Sequence, residues 1–172
     1  MNRKICSAAA ALLMLVACSP GLNWRQVPVA QLAALLPCKP DHAERQVELL
    51  GAQHPMAMWG CDAGRNLFAV SYMQVSAGTS SDALMQAWQV AALRNVGAGQ
   101  PAQLGFNAPS LRNGNAVPGS MIRVNGKQAD GQAVQAQLAW FTADGVIYHL
   151  AVYGPQLSPA ELEPFFTEMH WL

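Results

Sequence analysis

The stretch Met121–Tyr153, MIRVNGKQADGQAVQAQLAWFTADGVIYHLAVY, decides the fold. Two Ala-Asp-Gly turns, at 129–131 and 143–145, cut it into three runs of strand length. Asp-Gly between alternating apolar residues is a hairpin signal, because the tight turn that matches strand twist needs positive φ at both central positions. Val134, Ala136, Leu138 and Trp140 alternate with Gln135, Gln137 and Ala139, and Val146, Tyr148, Leu150 and Val152 repeat the period of two. The pattern predicts an antiparallel meander with one face covered. His149 lies opposite the Tyr148/Leu150 face and is expected to be partly exposed.

Working toward the C-terminus, Ser158-Pro159-Ala160-Glu161 reads as a capping box with Pro at the first helical position. Leu162, Phe165, Phe166 and Met169 would pack that helix on the sheet, with a kink or restart at Pro164. Toward the N-terminus, residues 97–119 hold five Gly, three Pro and three Asn without a period, which predicts a long loop enclosing at most a short strand. Before it, Thr79-Ser80-Ser81-Asp82 supplies N-cap residues for a helix carrying Leu84, Met85, Trp88, Ala91 and Ala92, with Gly97 past its end. Pro55–Asp62 and Asn66–Val75 read as a hairpin, and Glu44–Leu50 as a strand. Val29, Leu32, Leu35 and Leu36 sit at helical spacing and predict a short helix over Pro28–Leu36.

The sum is an α+β two-layer sandwich: an antiparallel sheet of about six strands covered by two main helices. This order, and the ending Val146-Ile-Tyr-His-Leu-Ala-Val-Tyr-Gly before a helix with Phe165-Phe166, resemble the Mog1/PsbP-like fold. Leu36-Pro37-Cys38-Lys39-Pro40-Asp41 and Gly60-Cys61 are similar to segments of proteobacterial lipoproteins. The resemblance spans Trp24–Leu172 in outline and implies a binding or assembly-assisting protein rather than an enzyme.

The start of the chain reads as an address. Arg3 and Lys4 precede an apolar run of twelve residues, Ile5–Val16, too short for a membrane span and typical of a secretory signal. Leu15-Val16-Ala17-Cys18 resembles the lipobox of bacterial lipoproteins. That resemblance implies cleavage after residue 17, diacylglyceryl transfer to the Cys18 thiol and acylation of the new amine. Residues 1–17 are then a signal peptide, 18–23 a lipidated tether and 24–172 one domain. Two or more acyl chains anchor stably where one does not. Ser19, where retained enterobacterial lipoproteins carry Asp, implies an outer-membrane destination facing the periplasm.

Composition narrows the partners. Ten Lys and Arg balance ten Asp and Glu, and charged residues make up 12% of the 172 residues. No basic footprint for nucleic acid is present. Four cysteines occur; Cys6 leaves with the signal and Cys18 takes lipid, so Cys38 and Cys61 remain for a disulfide in an oxidising compartment. Closing that 24-residue loop is worth about 3 kcal/mol. A nucleophilic Cys61 and a thiolate metal ligand are the alternatives, but there is no CxxC and no His at ligand spacing.

GxSxG, HExxH, Walker A and complete GxGxxG motifs are absent, and no catalytic site or cofactor is expected. One cluster points elsewhere. His54, Met56 and Met58 alternate along a strand and would share a face, and imidazole with thioethers is a soft set that suits Cu(I). Core filling by Met is the other reading. The expectation is an outer-membrane lipoprotein that binds a protein or envelope component through the 97–119 loop or an uncovered sheet face, with periplasmic copper binding as the alternative.

Cys18→Ser tests the address. The variant should lose incorporation of labelled palmitate and move from the membrane to the soluble fraction; unchanged fractionation would contradict lipidation at this cysteine.

Overall fold

A computed structural model describes residues 22–97, 99–110, 115 and 117–172. The signal segment and Cys18 lie outside the described residues. The elements, in chain order, are β1 (Arg25–Val29), β2 (Leu32–Leu36), β3 (Asp41–Leu49), β4 (Ala52–Ala63), β5 (Asn66–Gln74), α1 (Ser81–Asn95), β6 (Ala102–Leu104), β7 (Gly119–Lys127), β8 (Ala133–Ala143), β9 (Val146–Gly154), α2 (Pro159–Thr167) and β10 (His170–Trp171). A seven-stranded antiparallel sheet runs β3-β4-β5-β9-β8-β7-β6, and a three-stranded one runs β1-β2-β10.

The α+β character and the large antiparallel sheet agree with the sequence reading, but the main sheet has seven strands where six were expected. The seventh, β6, comes from within the 97–119 loop and pairs with β7. The expected helix over Pro28–Leu36 is instead the β1–β2 hairpin, with Val29 opposite Leu32 and Ala30 at φ 52 in the turn. Nine residues are too few to separate the two periods. Val27 and Val29 on one strand, and Leu32, Ala34 and Leu36 on the other, all reach the core, which a single helical stripe would not allow.

Both faces of the main sheet are covered, where one was expected. Leu138, Trp140 and Ile147 face α1, while Phe141, Tyr148 and Leu150 face the small sheet and α2. The glutamines of β8 on that second side are used internally. Gln137 accepts from Arg123 and donates to Met121 Sδ (3.0 Å), and Gln135 Oε1 accepts from the Leu157 amide (2.9 Å). Phe68 and Phe165 meet edge to face at 5.4 Å where α2 rests on the sheet. The expected capping box does not close: Ser158 makes no side-chain cap bond, and Glu161 Oε2 instead accepts from Asn66 Nδ2 (3.4 Å).

The turns follow their chemistry. Asp144 and Gly145 join β8 to β9 at φ 49 and 74, as a two-residue hairpin requires. Ser80 caps α1, its hydroxyl accepting from the Ala83 amide (3.3 Å). The far end of α1 is pinned to β7, where the Lys127 amide donates to the Val96 carbonyl (2.9 Å). Cys38 and Cys61 form the disulfide expected from parity and compartment, tying the segment after β2 to β4.

Gly126 is the contact that lets α1 and β7 close, because a Cβ there would run into the Val96 carbonyl. Gly126→Ala is therefore expected to cost about 1–3 kcal/mol, as overpacking does, read from the urea midpoint. No change in midpoint would show that this approach is not required.

Candidate functional site

The position of α1 creates the site. One flank of the helix reaches the far half of the sheet: Gln89 Nε2 donates to Ser120 Oγ (2.9 Å), and Thr142 Oγ1 lies 3.9 Å from Met85 Sδ. Its other flank, with Ala91, Ala92 and Asn95, overhangs β4, β5 and β9. Beneath it lies a groove of about 290 Å³. Small side chains make the space, with Ala69, Ser71 and Ala151 on the floor and Ala91 and Ala92 above.

Register places the functional side chains. Met58, Ser71, His149 and Trp140 stand side by side in one row across β4, β5, β9 and β8. Met56 lies two residues before Met58 on the same strand and also lines the groove, as do Trp88, Arg45 and Tyr153. No carboxylate or thiol is among the lining residues.

His149 is the residue of most interest. Its ring stacks on Trp140 at 4.5 Å and 13°, and meets Trp88 edge-on at 5.2 Å. It is 7% exposed, a correction to the partial exposure expected from alternation, because α1 covers the face that a one-sided sheet would leave wet. Its Nε2 is buried without a hydrogen-bond partner, as is the neighbouring Trp140 Nε1. Burial pulls the imidazole pKa down to about 3. Tyr153 responds to the same environment in the opposite sense: burial pushes it up to about 12, partly opposed by the Arg45 charge.

The residues singled out in the sequence are distributed as follows. His54, Met56 and Met58 share one strand, and their alternation puts all three on the α1 face. His54 is buried with Nε2 3.2 Å from the Leu49 carbonyl, and it does not line the groove. Met56 is 3% exposed and packs in the core on this side of the sheet. Trp171, near the C-terminus, donates from Nε1 to Ser110 O (2.9 Å) on the opposite face of the sheet. Sequence reasoning missed His149 and Ser71 as neighbours; the available signal was one imidazole inside the otherwise apolar run VIYHLAVY.

Comparison with known proteins adds little. No family model matches the chain, and no curated protein matches it. Among solved structures, a Pseudomonas aeruginosa protein of unknown function is similar at 9% identity over 70% of this chain and 86% of that one, with a TM-score of 0.36.

His149 gives a pH prediction. In the fold it stays neutral down to about pH 3, whereas an unfolded-chain imidazole takes a proton below about 6.5. Between these values the unfolded state binds the extra proton, so this group's contribution to stability rises with pH and levels off above the upper value. The difference in unfolding free energy between the wild type and His149→Phe should therefore grow by up to about 1.4 kcal/mol per pH unit from pH 4 to 6 and stay flat above 7. A difference independent of pH would show that the imidazole is not held neutral.

Proposed function

We propose that the chain is a lipid-anchored binding module of the bacterial envelope, with a Mog1/PsbP-like domain that takes a small envelope ligand in the groove under α1. The observation that carries this reading is the groove itself: a concave, mainly apolar space whose lining includes an imidazole with Nε2 buried and without a hydrogen bond. Such a combination, apolar walls with a few convergent polar groups, is what small-ligand sites share. The anchor rests on Arg3, Lys4 and the Leu15–Cys18 motif, which resembles a lipobox.

Binding is favoured over catalysis by the chemistry of the floor. Ser71 and His149 are cross-strand neighbours and invite comparison with a nucleophile and its base. No hydrogen bond joins them, however, and no carboxylate lines the groove to orient the ring. An imidazole with a pKa near 3 is also a weak base, far from the value near the operating pH that proton transfer favours. The same neutral, desolvated ring suits a permanent acceptor or donor for a bound molecule.

Native mass spectrometry of the full chain, released from its own envelope in detergent, tests this. Wild type should carry a small adduct that the groove-filling Ser71→Phe variant lacks, both having the same circular dichroism spectrum. No adduct on wild type, or the same adduct on both, would overturn the reading.

A further inference from the structure

We propose that the groove is a site for one soft monovalent metal ion, Cu(I), held by the thioethers of Met56 and Met58 and the imidazole of His149 over the hollow that Ser71 leaves. This rests on the groove being the binding site and names the ligand class it takes.

The geometry comes from the sheet. Met58 and His149 occupy the same register row, separated by one strand whose residue in that row is Ser71. Two strand spacings put their backbones about 10 Å apart. The side chain between them in the row is Ser71, among the smallest available, while the His149 ring lies 4.5 Å from that of Trp140 in the next position of the row. Met56, one step along β4, lines the same groove and supplies a second sulfur. His149 Nε2 makes no hydrogen bond, so a polar atom of the ring is unspent in the folded chain.

The ligand set also selects the ion. Thioethers are soft and neutral, and with imidazole they favour Cu(I). Calcium and magnesium need oxygen ligands, chiefly carboxylates, and none lines the groove. Structural zinc takes four strong ligands from thiolates and imidazoles, whereas this groove offers one imidazole and no thiol. Arg45 at the groove opposes a divalent charge more than a single one. Trp88, whose ring lies 5.2 Å from the His149 ring, adds an aromatic wall that a weakly hydrated cation tolerates. Binding to these neutral groups releases no proton and changes no oxidation state. His54, the imidazole nearest in sequence to the two methionines, is outside the set because it does not line the groove and its Nε2 faces the Leu49 carbonyl.

The test uses the mature lipidated chain purified from the envelope in detergent, from which Cys6 has left with the signal and in which the Cys18 thiol carries lipid. It is titrated with Ag(I) as a redox-inert probe, then with Cu(I) under argon against a chromogenic chelator. One ion per chain should bind, shifting the methyl signals of Met56 and Met58 and the ring signals of His149. Met58→Leu should weaken binding at least tenfold with an unchanged unfolding midpoint, while His54→Gln stays within twofold of the parent. Absence of saturable binding, unmoved His149 signals, or loss of binding in His54→Gln but not Met58→Leu would overturn the assignment. If Ag(I) fails to bind while the wild-type adduct and its loss in Ser71→Phe persist, only the metal falls; if both fail, the groove reading falls with it.

Discussion

Everything in this structure follows from the need to cover a sheet that is apolar on both faces. In the centre, β9 carries Tyr148, Leu150 and Val152 toward one side and Ile147 and Ala151 toward the other, all buried. Withdrawing each large apolar side chain from water is worth roughly 1.5–3 kcal/mol, so neither face is left wet. The chain meets the demand unequally. A three-stranded sheet and α2 close one side, with Phe68, Phe141, Phe165 and Tyr148 interlocked beneath them. On the other side a single helix of 15 residues crosses a sheet of seven strands.

That mismatch is where the groove comes from. Trp88 packs α1 against His149 of β9, Gly126 lets its end approach β7, and the helix also packs on Leu49 of β3, so the groove lies under the part of the helix between these supports. There the sequence places Ala69, Ser71, Ala91, Ala92 and Ala151 instead of side chains that would fill the space. It also leaves His149 Nε2 and Trp140 Nε1 buried and unpaired within one stack of rings. An unsatisfied buried polar group costs about 1–3 kcal/mol. Two such atoms in one stack of rings are a local weakness in stability.

Much of the fold was legible in the sequence, and the misses have physical causes. The two Asp-Gly turns and the alternation through Val134–Trp140 and Val146–Val152 located the central hairpin, because turn φ values and strand period are local properties. Ser80 announced α1 for the same reason. The Val29–Leu36 segment misled because two apolar strands joined by a two-residue turn reproduce helical spacing over so short a length. Strand β6 is the short strand allowed for within the Gly- and Pro-rich loop, and its place as a seventh strand of the main sheet is decided by pairing with β7 and not by propensity. The groove was least legible. It depends on Met58, Ser71 and His149 meeting across three strands, and register between β5 and β9 joins residues 71 and 149, which no local pattern links.

The central claim is that this row of residues binds a soft ion, and an anomalous difference map from crystals of the chain grown with Ag(I) addresses it most directly. The account predicts one strong peak above Ser71, within bonding distance of Met58 Sδ and a His149 ring nitrogen. A groove without a peak, or silver seated beside His54 instead, would contradict it.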